Sequence, residues 1–232
     1  MKNQYFGDIN DYRKYGLVRM LSEHGKLRVG VCWMLTESDY RTDGQFTDYL
    51  EKGSAYRRYD ESLFDTLKNC LSSPSGRDVC HASNMSIIPK AVYFDTILTD
   101  STDERRGYFE KFARVSQHCD MVFFDPDNGL EIKSKRKGQK HSSKYLYWDE
   151  LEQTYASGKS VLVYQHFRRE KRETTISSLS REAERRLGVT QVIAFRTPHV
   201  LFLLMPQPTH ETHFLQQAQK VADRWKREIR VE

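Results

Sequence analysis

Apolar runs of two kinds alternate along the chain, and they predict alternating strands and helices. Leu27–Leu35, with its Val29-Gly-Val-Cys-Trp-Met-Leu core, the run from Ala91 to about Asp95, Met121-Val-Phe-Phe124, Ser160–His166, Thr190–Arg196 and Val200–Met205 are short and nearly continuous in apolar character. Such runs suit strands covered on both faces. Between them, apolar residues recur at helical spacing. A helix is predicted from Asp8 or Asn10, either able to cap it, through Leu17, Val18, Met20 and Leu21 to about Gly25. Others are predicted over 57–71 (Leu63, Phe64, Leu67 and Leu71 on one face), 103–117, 148–155, 174–187 and 210–229. Ser72–Gly76 reads as a loop. The turn Thr197-Pro198-His199 is too short for a crossover, so its flanking strands pair antiparallel. The pattern predicts a single Rossmann-like α/β domain over residues 1–232, its sheet mostly parallel with a C-terminal antiparallel hairpin.

The best-defined feature is Met121-Val-Phe-Phe-Asp-Pro-Asp-Asn-Gly129. The buried strand must stop at Asp125-Pro126, because proline lacks an N–H and restricts the residue before it. Asn128-Gly129 continues the turn. Two carboxylates and an amide therefore sit at the carboxyl end of a buried strand, where open α/β sheets bind ligands. Ser160–His166 likewise ends in Gln165 and His166. Both strands are followed by basic residues: Lys133, Lys135, Arg136, Lys137, Lys140, His141 and Lys144 after the first, and Arg168, Arg169, Lys171 and Arg172 after the second. Asp8, Asn10 and Tyr12 at the start of the first helix are expected to lean into the same cleft.

Composition narrows the class. Charged residues make up 30% and the formal net charge is +5, which is compatible with a polyanionic partner. No apolar run is long enough to span a membrane, and the N-terminus has no secretory h-region. Cys32, Cys70, Cys80 and Cys119 form no C-x-x-C pair, so reduced thiols in the cytoplasm are expected, with no disulfide framework or zinc site. His210 and His213 lack a third ligand nearby, and no metal is expected. No G-x-G-x-x-G follows the first strand; the segment from Thr36 to Phe46 is polar with one glycine.

A carboxylate at one strand end and a histidine at another suit hydrolysis at a sugar carbon of DNA. The carboxylate positions water or stabilises positive charge, and the histidine donates a hydrogen bond to the departing base. In this reading Asp125, Asp127, Asn128 and His166 carry the chemistry. Tyr164, Gln165 and Phe167 join the N-terminal residues in binding substrate. Lys133, Arg136, Lys137, Lys140, Arg168 and Arg169 hold phosphates, and no cofactor is needed.

Val-Phe-Phe-Asp125-Pro-Asp-Asn-Gly129 resembles the first motif of the uracil-DNA glycosylase superfamily, an apolar strand leading to Asp-Pro-x-x-Gly. Val161-Leu-Val-Tyr-Gln-His166-Phe is similar to its last motif. The resemblance implies water activation by Asp125 and stabilisation of the base anion by His166. Asp127-Asn128 replaces that superfamily's aromatic-plus-histidine pair, which implies a base other than uracil, such as a modified phage cytosine, and a role in antiviral defence. A second resemblance, to Rossmann-like methyltransferases, rests on the strand order and on Gly7-Asp-Ile-Asn-Asp-Tyr-Arg-Lys-Tyr15, which is similar to the opening of ribosomal-RNA adenine-N6 methyltransferases. It implies S-adenosylmethionine-dependent methyl transfer as the alternative. A metal-dependent nuclease built on Asp127 and Glu131, and a non-enzymatic nucleic-acid-binding module, are weaker readings.

Overall fold

The computed structural model describes residues 1–38, 44, 46–72 and 76–232. Most of the 72–76 loop and part of the polar 36–46 segment lie outside the described residues. The six predicted strands, joined by a short C-terminal one that was not predicted, assemble into one seven-stranded sheet in the order β2-β1-β3-β6-β8-β7-β9. These are β1 (Val29–Cys32), β2 (Val92–Phe94), β3 (Met121–Phe124), β6 (Ser160–His166), β7 (Ile193–Arg196), β8 (Val200–Met205) and β9 (Arg230–Val231). β2, β1, β3 and β6 run parallel, and β8 is antiparallel to both β6 and β7. A separate parallel pair, β4 (Gly129–Leu130) and β5 (Tyr145–Leu146), follows the Asp-Pro turn.

The runs are continuous because each face of the sheet has its own core. Val29, Val31, Met121, Phe123, Leu162, Tyr164, Phe202 and Leu204 point to one side. There they meet α1 (Ile9–Leu21), α3 (Glu61–Leu71) and α8 (Glu211–Arg224). The alternate residues Cys32, Val122, Phe124, Val161, Val163, Leu201 and Leu203 point to the other. They are covered by α5 (Thr102–Val115), α6 (Trp148–Ala156) and α7 (Arg172–Leu187). The result is a three-layer, Rossmann-like α/β domain. Two short helices, α2 (Gly53–Tyr56) and α4 (Cys80–Asn84), complete the helical set among the described residues. None is long and apolar enough to cross a membrane.

α1 packs unusually close to the end of α8. A Cβ at Gly16 would lie 2.2 Å from the Trp225 ring, so only glycine permits this approach. Three boundaries differ from the sequence reading. The 57–71 helix starts at Glu61, because Asp60 accepts a bond from the Leu63 N–H (3.1 Å) and caps it, leaving Arg57–Tyr59 as a 3-10 turn. The first strand stops at Cys32; beyond it only Leu35 bridges to Ile97. The last helix ends at Arg224, and Ile229 is followed by β9, which extends the sheet beside β7.

Candidate active site

Strand order reverses at β1: β2 lies on one side and β3 on the other. The crevice outside the carboxyl ends of β1 and β3 is the expected binding position in such a sheet, and α1 lies against it. Asp8 caps α1, its Oδ1 accepting the N–H groups of Asn10 (2.8 Å) and Asp11 (2.9 Å). One turn later, helical spacing stacks Asp11, Lys14 and Tyr15 on one face. Asp11 accepts from Gly7 N–H (3.0 Å), Tyr15 O–H (3.0 Å) and Lys14 Nζ (2.7 Å). The Lys14 ammonium then reaches Asp125 Oδ2 at 2.6 Å. A buried carboxylate–ammonium–carboxylate chain thus ties α1 to the Asp-Pro turn. The ammonium also lies 5.2 Å from the Tyr164 ring centroid and 5.8 Å from that of Trp33, cation–π contacts that offset part of its desolvation.

The turn itself is rigidly held. Asp127 Oδ2 accepts from Thr36 (2.8 Å), and its Oδ1 lies 2.7 Å from the Met1 ammonium, which also donates to the Asp125 carbonyl (2.9 Å). Gly129 adopts φ +109°, and a Cβ there would sit 2.4 Å from the Gln165 amide. That amide accepts from Leu130 N–H (2.8 Å) and donates to the carbonyls of His166 (2.6 Å) and Asn128 (3.3 Å). Gln165 is therefore a strut between the two strand ends.

These parts enclose a cavity of about 520 Å³. Lys2, Asp8, Asn10, Asp11, Lys14, Asp125, Asp127, Asn128, Tyr164 and His166 line it, together with Lys144 and the exposed Phe46 and His199. Two carboxyl groups keep oxygens without a protein partner among the described residues: Asp8 Oδ2 and Asp125 Oδ1. Burial, reinforced by the neighbouring Asp11 charge, pushes the Asp8 pKa up to about 7. Burial also raises that of Asp125, against the pull of Lys14. For Lys14, burial works against the charge, but Asp11 and Asp125 more than offset it and its pKa is raised. Asp127 is held below the ordinary carboxylate value: burial opposes this, and the Met1 ammonium and Thr36 overcome it. His166 forms the exposed end of β6, its Nε2 3.3 Å from the Tyr164 hydroxyl. Partial desolvation by the surrounding protein lowers its pKa, which favours the neutral ring.

The structure thus brings together Asp8, Asn10, Asp125, Asp127, Asn128, Tyr164 and His166 of the sequence-derived set. Besides Gln165, the strut between the strand ends, two members of the catalytic and substrate-binding set lie elsewhere. Tyr12 is fully buried, its hydroxyl donating to the Tyr56 carbonyl (2.8 Å) and its ring packed on Trp225 and Tyr49. Phe167 packs against the opposite core, with the Arg172 guanidinium 4.9 Å over its ring. The cause is strand alternation: Tyr164 and His166 face α1, whereas Gln165 and Phe167 do not. Of the first basic loop, only Lys144 lines the cavity. Lys137 is paired with Asp149 (2.5 Å) and Glu150 (3.2 Å), and Lys133, Arg136 and Lys140 are exposed near that side. Arg168 and Arg169 follow Phe167, one residue beyond His166, and make no ion pair among the described residues.

Sequence reasoning missed Lys14, Asp11, Phe46, His199 and Lys144 as cavity residues. Only the first two left a signal, an i,i+3 acid–base pair on the inner face of α1. Among the described residues no group of three or more His, Cys, Asp or Glu is placed to hold a metal ion. No protein-family model matches this chain, and neither does any curated protein.

Proposed function

We propose that this protein is a hydrolase that cleaves the N-glycosidic bond of a base in DNA. The observation that carries the reading is the pair of carboxyl groups, Asp8 and Asp125, which line one cavity in different environments, each with an oxygen that has no partner among the described residues. Burial raises both carboxyls, but the Lys14 ammonium touches Asp125 and not Asp8, a difference of surroundings of the kind by which an enzyme provides an acid and a base at one pH. Asp125, held as an ion pair by Lys14, faces the sugar, where it positions water and stabilises the cation-like carbon. Asp8, protonated below about pH 7, donates a proton toward the leaving base. Neutral His166 donates a hydrogen bond to the same leaving group. Arg168 and Arg169 take phosphates flanking the extruded nucleotide. A modified base, such as a phage cytosine derivative, is the preferred substrate in this proposal.

The test incubates purified protein with unmodified, uracil-containing and modified-cytosine DNAs, then uses mild alkali to break strands at abasic sites. Breaks that vanish in Asp125→Asn support the proposal. No breaks on any substrate would overturn it. Methyl transfer draws support from β8, inserted antiparallel between β6 and β7, as the resemblance implies. Calorimetric binding of S-adenosylmethionine would favour methyl transfer.

A further inference from the structure

Among the described residues, Phe46 is the most exposed of the large apolar side chains, at 64%. Leaving such a ring in water forfeits burial energy, so its position calls for a reason. It stands at the rim of the cavity, parallel to His199 within 3° and with ring centroids 6.4 Å apart. The two residues are 153 positions apart in the chain, so only the fold brings them together. Each is anchored from behind. The Phe46 carbonyl accepts the Ile9 N–H (3.0 Å), which fixes it beside Asp8 at the start of α1. The His199 N–H donates to Thr197 Oγ1 (3.2 Å) in the turn between β7 and β8. Burial, with Arg13 and Arg172 nearby, lowers the His199 pKa, so its ring is chiefly neutral at pH 7.

We infer that Phe46 and His199 form a two-jawed clamp that takes one planar base between their rings at the entrance to the Asp8–Asp125 cavity. Parallel rings with centroids 6.4 Å apart have planes no farther apart than that, less than twice the roughly 3.4 Å spacing of stacked bases. The jaws must therefore open to admit a single heteroaromatic ring. Stacking recognises the π-face that every base carries, so the clamp selects for an unstacked base and leaves discrimination among bases to the polar cavity behind it. The substrate class follows: a nucleotide already single-stranded or extruded from its duplex. This inference rests on the proposed function for its choice of ligand, although its test reads binding and not hydrolysis.

The experiment titrates the full-length protein into a short single-stranded oligonucleotide carrying one 2-aminopurine, whose fluorescence is quenched on stacking. A second probe carries pyrrolocytosine. Quenching is expected, with affinity weakened about tenfold or more in Phe46→Ala and in His199→Ala and largely kept in Phe46→Trp. Both side chains are exposed, so neither truncation endangers the fold. Affinities of both alanine variants within twofold of wild type would overturn the clamp. A loss confined to one variant would overturn the two-jawed arrangement. Quenching that persists in a protein without glycosylase activity would retain the clamp and reject the hydrolytic reading alone.

Discussion

The domain buries two ion-pair clusters, one on each side of its sheet, and they are finished differently. Between α5 and α6, Arg105 is 1% exposed and binds Glu150 through two bonds, Nε to Oε1 at 2.6 Å and a terminal nitrogen to Oε2 at 2.8 Å. Its remaining donors reach the carbonyls of Tyr145 (2.7 Å) and Ser142 (3.4 Å), and its guanidinium lies over the Tyr147 ring. Glu150 also accepts the Tyr147 N–H at the start of α6 (3.0 Å). Beside α1, Lys14 joins Asp11 and Asp125, but Asp125 and the adjacent Asp8 keep oxygens turned toward a cavity. A buried charge with every valence met locks elements together. One with acceptors left over can bind or react.

The largest expected effect separates these roles in activity. Asp125→Asn should cut base release by about 10³-fold while the fold, read by circular dichroism, persists, because Lys14 keeps Asp11. Arg105→Met should do the reverse. It leaves Glu150 buried with only Lys137 nearby, and should cost about 3 kcal/mol in urea unfolding with little change in the activity of the folded fraction. Arg105→Met combined with Glu150→Leu should recover most of that stability, since an apolar pair replaces the ions without stranding a charge. An equal loss of stability in the double variant would show that the pair organises the loop in some further way.

A smaller effect is expected from pH. The folded pKa of Asp8 is raised to about 7 from 3.8, so between those values the folded state binds more protons than the unfolded one. This contribution to stability is fully present below about pH 4, falls as pH rises to about 7, and is flat above. Asp8→Asn keeps a good helix cap and should flatten that slope, raising stability at pH 8 relative to wild type. Activity should decline above about pH 7 in wild type as Asp8 loses its proton, and the decline should disappear along with most of the rate in Asp8→Asn.

The sheet and its Asp-Pro turn were legible in the sequence because double-sided burial writes continuous apolar runs and proline ends them. Ser160–His166 and Val200–Met205 coincide with β6 and β8 for that reason. Phe167 was misjudged although period-two alternation from Tyr164 could have assigned it to the far side. Tyr12 was misjudged because the helix start suggested exposure, whereas the Gly16–Trp225 approach draws that face of α1 into the core. Lys14 against Asp125, and Phe46 against His199, are contacts between distant segments. No local pattern encodes them, and they appear only once α1 is laid along the carboxyl edge of the sheet.

The most direct test compares base release, on the DNA panel, by wild type, Asp125→Asn and the Arg105→Met/Glu150→Leu double variant, each scaled to its folded fraction. The account predicts release by wild type and the double variant and almost none by Asp125→Asn. Undiminished release by Asp125→Asn would contradict it.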